Sequence, residues 1–293
     1  MPFRTKLAKA ETQIAANLCS SPGRIYARSD IATYFYKARL DGVLAKQTKL
    51  DEFIEFLVRR RHLLSITLKS VQYGKEITRY CVGPPSPFAL AASLRKSGYL
   101  SHGTAAYLHE LVKTPPNQIY LNVEQSAKPR RETSLSQLGL DWAFAGKQRQ
   151  SNLTFRNKGL MVTILAGKNT RRAGVEPIAN SQAQGSAATN LERTLIDIAV
   201  RPAYAGGIVQ VLDAYRVARE RASTQKLLSI LDTLDHVYPY AQAIGFLMQR
   251  AGYREDCLAL VRSRVTEFKF YLSHGLTDSA YDERWRLFHP PGL

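Results

Sequence analysis

"LVRRRHLLSITLKSVQYGKEITRYCVG", residues 57–83, is the stretch on which the fold turns, because its periodicity changes in the middle. Upstream, Leu50, Phe53, Ile54, Leu57 and Val58 recur at helical spacing, the pattern of a helix with one buried face. From Leu64 the pattern alternates: Leu64, Ile66 and Leu68 against Ser65, Thr67 and Lys69, as in a strand. The loop "VQYGKE" and a second run, "ITRYCV", complete a hairpin. Arg59, Arg60, Arg61 and His62 stand at the junction. Basic residues at a helix C-terminus are favoured by the helix dipole alone, so this run is either an ordinary helix end or part of a basic surface.

Working outward, Leu7, Ala10, Ile14 and Leu18 predict a helix over residues 5–19, followed after Pro22-Gly23 by the short strand "GRIYA". Ile31, Tyr34, Phe35 and Ala38 predict a second helix capped by Ser29 and ended by Asp41-Gly42. Thr48 is expected to cap the third helix, with Asp51 three residues on. Helix, short strand, helix, helix, hairpin is the order of a winged helix-turn-helix, expected over residues 1–83.

Charge supports a nucleic-acid reading of that region. The chain of 293 residues carries a net charge of +17. Residues 1–80 hold 15 Lys and Arg against 7 Asp and Glu, and residues 81–180 hold 13 against 5, whereas residues 181–293 hold 13 against 12. A one-sided basic excess is the electrostatic footprint of a nucleic-acid binder. The expected duplex contacts are Thr48 and Lys49 at the third helix's start, where backbone N–H groups favour phosphate; Arg59 and Arg60 at its end; Lys37, Arg39 and Lys46 around the turn between helices; Lys69, Gln72, Tyr73 and Lys75 on or beside the hairpin tip; and Arg28. Glu52 and Glu55 oppose a phosphate on the third helix's outward face, so approach by its N-terminal end is expected, with the hairpin contributing.

The break "VGPPSP", residues 82–87, is the expected boundary to a second domain, 84–293, of mixed α/β character with a helical C-terminal part, so the fold class is α+β. Its expected elements are helices in "FALAASLRKSGYL" and "SHGTAAYLHEL", a strand in "NQIYLNVEQ", a basic loop "AKPRRETS", and a hairpin turning at Asn157-Lys158-Gly159. "GVEPIANSQAQGSAA" reads as an exposed loop. Thr189 and Glu192 form an expected capping box, with Asp197 facing solvent. Helices follow in "GIVQVLDAYRVARERA", "STQKLLSILDTLD" and "YPYAQAIGFLMQRAG", and closing strands in "EFKFYL" and "ERWRLFHPP".

No catalytic set assembles. Glu267-Phe268-Lys269 has the E-x-K form of an Mg-dependent nuclease half-site on an expected strand, but lacks a convincing partner acid. The 6 histidines give no metal triad; His102 and His109 read as capping or core residues. Tyr238, Tyr240 and Phe246 could face a partner, although residues of this kind are more often core. The 3 cysteines form no metal spacing and no disulfide framework. No segment reaches the roughly 18 apolar residues of a membrane span. The charged N-terminus reads as the first helix of a cytoplasmic protein. No metal or other cofactor is expected.

The succession "SLRKSGYLSHGTAAYLHEL", "TNLERTLIDIAVRPAYAGG", "YPYAQAIGFLMQRAGY", "FYLSHG" and "RWRLFHPPGL" resembles the AbiEi-type antitoxins of bacterial abortive-infection systems, most densely from residue 88 onward. The resemblance implies a two-domain transcriptional repressor that binds repeats in the promoter of its own operon. It further implies that the C-terminal domain counters a nucleotidyltransferase-like toxin without a stable complex. A winged-helix regulator without a toxin partner is the alternative of the same architecture, and an Mg-dependent nuclease a more distant one.

Overall fold

Three apolar stripes at helical spacing meet in the N-terminal region because no one of them can bury its face alone. In the computed structural model, which describes residues 6–19, 23–129, 134–183 and 185–293, the region contains α1 (Lys6–Lys9), α2 (Glu11–Leu18), β1 (Ile25–Tyr26), α3 (Arg28–Leu40), α4 (Leu50–Arg59), β2 (Leu64–Ser70) and β3 (Glu76–Cys81). Ile14 and Leu18 of α2, Ile31, Phe35 and Ala38 of α3, and Phe53, Ile54 and Leu57 of α4 form one buried cluster with Tyr26, Leu44 and Leu63. The expected helix over 5–19 is two pieces that meet at Ala10; Thr5 and Pro22 lie outside the described residues. β1 pairs antiparallel with β3, Ile25 opposite Cys81, and β2 and β3 form the hairpin from Leu64↔Cys81 to Lys69↔Glu76.

Two of the expected caps are displaced by one or two residues. Helix α3 starts after Ala27, whose N–H donates to the Asp30 carboxylate (2.8 Å), so Asp30 does the work expected of Ser29. Helix α4 starts after Lys49, whose N–H reaches Glu52 at 3.4 Å, while Thr48 is buried. In both, a carboxylate at the third helical position satisfies an otherwise orphaned donor.

The second region holds α5 (Pro87–Ser93), β4 (Tyr99–Leu100), α6 (His102–Leu108), β5 (Gln118–Glu124), α7 (Gln137–Ala145), β6 (Thr154–Asn157), β7 (Leu160–Gly167), β8 (Val175–Pro177), β9 (Ala187–Thr189), α8 (Leu191–Val200), α9 (Ile208–Ala218), α10 (Thr224–Leu234), α11 (Tyr240–Arg250), α12 (Glu255–Arg262), β10 (Phe270–Tyr271), β11 (Ala280–Asp282) and β12 (Leu287–His289). The fold is α+β. One mixed sheet runs β1-β3-β2-β6-β7-β5-β4-β9-β8, and a small sheet runs β10-β12-β11. At the centre of the large sheet, β5 and β7 are parallel over Gln118↔Met161 to Glu124↔Gly167. Residues Val162 to Leu165 are consecutively buried, the mark of a strand covered on both faces.

The sheet crosses the break at residues 82–87. Lys69 and Ser70 of β2 pair with Arg156 and Phe155 of β6, and Val71 N donates to Thr154 O at 2.9 Å. Leu68 is buried in the same cluster as Phe88, Phe155 and Val162. The hairpin is thus joined edge to edge with the second region.

Several local expectations change on folding. The "GVEPIANSQAQGSAA" stretch, expected as a loop, carries β8 and β9, and β9 extends the sheet beside β4. Its small residues allow close backbone approach: Ala183 and Ala188 are buried. Four of the residues expected in the basic loop "AKPRRETS", 130–133, lie outside the described residues. Helix α8 is capped by Asn190, whose side chain accepts from Arg193 N at 2.9 Å; Thr189 belongs to β9 and its hydroxyl bonds that of Thr194. Behind the sheet, α8 to α12 pack into the largest core, with Trp285 fully buried in it. Gln242 ties this bundle to the closing strands: its Nε2 donates to the Phe268, Trp285 and Arg286 carbonyls, and its Oε1 accepts from Thr266 Oγ1 at 2.8 Å.

Candidate nucleic-acid interface

The arginine run that ends α4 is largely engaged by local contacts. Arg59 pairs with Glu55 one turn back at 2.6 Å. Arg60 lies over the Phe56 ring and 3.9 Å from Glu11. Arg61 takes a left-handed conformation (φ 61°) that turns the chain out of the helix, with His62 N donating to Leu57 O at 2.9 Å. This is the hydrogen bonding of a helix C-terminus usually closed by glycine. His62 Nε2 then meets Glu11 Oε1 at 2.9 Å, tying the helix end to α2.

The other expected contacts separate into three groups. Arg28 pairs with Asp51 at 2.5 Å, so the start of α3 lies against the first turn of α4. Arg39 Nη2 donates to the Lys46 carbonyl at 2.5 Å while its guanidinium lies over Phe35, which braces the turn between α3 and α4. Lys69 pairs across the hairpin with Glu76 at 2.9 Å. Thr48, expected at a phosphate site, is buried, so its hydroxyl is not presented to a duplex. Lys37, Lys46, Lys49 and Lys75 remain exposed, without an ion-pair partner among the described residues. Gln72 and Tyr73 are also exposed at the hairpin tip, which is held by Ser70 N to Lys75 O at 2.7 Å and by Tyr73 N to Ser70 Oγ at 3.1 Å.

The first turn of α4 is a poor phosphate site, contrary to expectation. Glu52 accepts from the N–H of Lys49, the residue before the helix, at 3.4 Å, and Asp51, paired with Arg28, stands beside it. Two carboxylates offset the favourable end of the helix dipole. The cationic character comes instead from lysine side chains on the α3–α4 turn and the hairpin tip.

The nuclease half-site does not assemble. Glu267 is exposed in a bend before β10 rather than on a strand. Among the described residues no group of three His, Cys, Asp or Glu side chains is placed to hold a metal ion. His109 Nε2 donates to the Thr189 carbonyl at 2.7 Å, a satisfied core role. Tyr240 and Phe246 are buried and Tyr238 is half-buried among the aromatic rings around Phe144 and Phe270. No helix is long and apolar enough to cross a membrane among the described residues.

A second constellation was not visible in sequence order. Glu192 and Asp197 are both buried. Glu192 accepts from Ser223 N at 3.1 Å and pairs with Lys226 at 3.2 Å, so it caps α10 rather than its own helix. Asp197, expected in solvent, accepts from Arg193 Nε at 2.7 Å, and Arg193 Nη1 donates to the Ala173 carbonyl. This pair borders a cleft of about 850 Å³ at the ends of β5 and β7, together with His102, His236, Arg149, Arg201 and Tyr204. Burial pushes the His102 imidazole down to about 4, against the pull of Asp197, and burial does the same to His236. Glu124, at the end of β5, accepts from Thr170 N (3.1 Å), the Thr170 hydroxyl and Arg172 N (3.2 Å). Burial alone would raise its carboxyl, but these bonds hold it below the usual carboxylate range.

No family model matches the chain, and no curated protein matches it. Among solved structures, it is similar to the crystal structure of the Rv2827c protein from Mycobacterium tuberculosis. The TM-score is 0.58 at 16% identity, over 96% of this chain and 91% of that one. At this identity the likeness bears on fold alone, and it extends over nearly the whole chain.

Proposed function

We propose that this chain is a sequence-specific DNA-binding repressor with a winged helix-turn-helix over residues 1–83. The carrying observation is the set of exposed lysines without ion-pair partners among the described residues, Lys37, Lys46, Lys49 and Lys75, on the α3–α4 turn and the tip of the hairpin behind α4. Point cations on mobile stems position a protein on phosphates. The hairpin's Gln72 offers both donors and acceptors for a base edge. Arg28, Arg39, Arg59 and Arg60 hold the scaffold rather than the duplex.

On this reading the protein is a cytoplasmic autoregulator that binds repeats upstream of its own gene. Residues 84–293 act as antitoxin toward a nucleotidyltransferase-like toxin, without a stable complex. The antitoxin part rests on the resemblance to the AbiEi-type proteins. Titrating duplex DNA from upstream of the gene, against scrambled duplex, over a salt series tests the reading. Preference for the upstream duplex that persists while both affinities fall with salt is expected, since phosphate contacts carry the salt dependence and base contacts the ratio. Equal binding to both duplexes at every salt concentration refutes the repressor. Co-expression with a neighbouring toxin gene tests the second half: restored growth without co-purification is expected, and unrelieved toxicity leaves a regulator without toxin partner.

A further inference from the structure

We propose that the cleft at the carboxyl ends of β5 and β7 binds a nucleoside phosphate. Gln125, Gly167 and Lys168 follow or end those parallel strands and line the cleft, and crevices at such strand ends are the usual ligand sites of parallel sheets. Its volume of about 850 Å³ suits a ligand of nucleotide size.

The charge in the cleft is not balanced. Arg193 is matched by Asp197 at 2.7 Å and Lys168 by Asp235 at 3.7 Å. Arg149 and Arg201 have no carboxylate partner among the described residues, and Arg201 Nη1 donates to the Arg149 carbonyl at 2.8 Å, which brings the two residues together. Both residues line the cleft, and a planar guanidinium matches phosphate oxygens through paired hydrogen bonds.

The remaining lining suits a base and its sugar. His236 is half-buried, and its buried Nε2 has no hydrogen-bond partner among the described residues. A buried polar atom left unpaired is costly, and a ligand hydroxyl or ring nitrogen would satisfy it. His102 is held at φ 53° with its ring edge-on to Tyr204 (5.3 Å between centroids) and Nδ1 hydrogen-bonded to Ser101 Oγ. Strained residues of this kind cluster at ligand sites. Tyr73, exposed at the hairpin tip, also borders the cleft and supplies a face on which a base can stack.

The test is calorimetric titration of the full chain, without DNA, using AMP, ATP, adenosine and inorganic pyrophosphate as probes. Its outcome does not depend on whether the N-terminal region binds DNA. AMP or ATP is expected to bind, with adenosine and pyrophosphate each weaker. Arg149→Ala is expected to weaken nucleotide binding by about tenfold or more, the loss of a charged hydrogen-bonding group, with the thermal melt of the unliganded chain unchanged because Arg149 is exposed. Arg201→Lys, which keeps the charge and loses the fork, is expected to weaken it as well. A 5′-phosphorylated single-stranded hexanucleotide distinguishes a free nucleotide from a strand terminus as the source. Competition weaker or stronger than that of AMP assigns one or the other, and both keep the nucleoside phosphate. No binding of AMP or ATP, or wild-type binding by Arg149→Ala and Arg201→Lys, overturns the proposal. So does pyrophosphate binding as tightly as ATP.

Discussion

Replacing Lys49 and Lys75 together by alanine tests the proposed DNA interface most directly, because the structure says which charges are available. Of the expected cationic contacts, Arg28, Arg59 and Lys69 are paired with carboxylates at 2.5, 2.6 and 2.9 Å. A paired cation releases few counterions on meeting a phosphate. Lys37, Lys46, Lys49 and Lys75 are exposed without such partners among the described residues. If each neutralises one phosphate, they contribute about 3.6 to the slope of log affinity against log salt, at about 0.9 per contact. Between about 50 and 200 mM salt, that slope corresponds to about a 150-fold loss of affinity. The double variant should keep about half of the slope and lose only about 12-fold over the same range. Fluorescence anisotropy on the upstream duplex measures both slopes, with Arg254→Ala, whose charge is paired with Asp256 at 2.5 Å, as the control. A double variant whose slope equals that of wild type would refute the assignment of these lysines to phosphate.

Three further outcomes follow from the packing. Asp197→Ala leaves the buried Arg193 guanidinium without its 2.7 Å partner, and should cost about 3–5 kcal/mol in urea unfolding; a loss under about 1 kcal/mol would mean water reaches the pair. A Cβ on Gly245 would overlap the Trp285 ring. Gly245→Ala should therefore destabilise by about 1–3 kcal/mol or more, although alanine is the better helix former; an unchanged melting temperature counts against the packing of Trp285 on α11. His102 and His236 both have imidazoles lowered from 6.5 to about 4 by burial. The unfolded chain then takes up protons that the folded chain refuses, so stability is full above about pH 6.5 and falls as pH drops toward 4, by up to about 2.7 kcal/mol per pH unit for two groups. Burial lowers the His109 and His274 imidazoles as well, so unfolding measured at several pH values should show the slope reduced by up to about 1.4 kcal/mol per pH unit in His102→Asn or His236→Gln. A single-variant slope equal to that of wild type would show that the altered histidine is not a source.

Most elements were legible because local patterns and tertiary demands agree. The stripes of α2, α3 and α4, the alternation of β2, and the turn at Asn157-Lys158-Gly159 all lie where periodicity placed them. Helix α7 has no legible stripe, since in "QLGLDWAFA" only Leu140 and Phe144 are buried, and Leu138 and Trp142 face outward. Strands β8 and β9 are hidden because short, small-residue segments carry no period; β9 forms on the open edge of β4, and β8 then pairs with β9. Caps displaced by one or two residues have a common cause: Ser29, Thr48 and Thr189 are good capping types, but the chain enters each helix elsewhere and uses Asp30, Glu52 and Asn190.

By itself the sequence determined the helix–strand–helix–helix–hairpin order, the α+β class and the concentration of positive charge in the first 180 residues, because these depend on neighbours along the chain and on composition. Which cations are available was a tertiary decision. Glu11, Glu55, Asp51 and Glu76 reach their basic partners from 49, 4, 23 and 7 positions away, and those pairings turn most of the arginine-rich surface into scaffold. The cleft is tertiary for the same reason: His102 starts α6, Arg201 follows α8, and Arg149 and His236 lie in the connections before β6 and α11. No spacing in one dimension could bring together side chains that meet only when β5, β7 and the helices behind them pack.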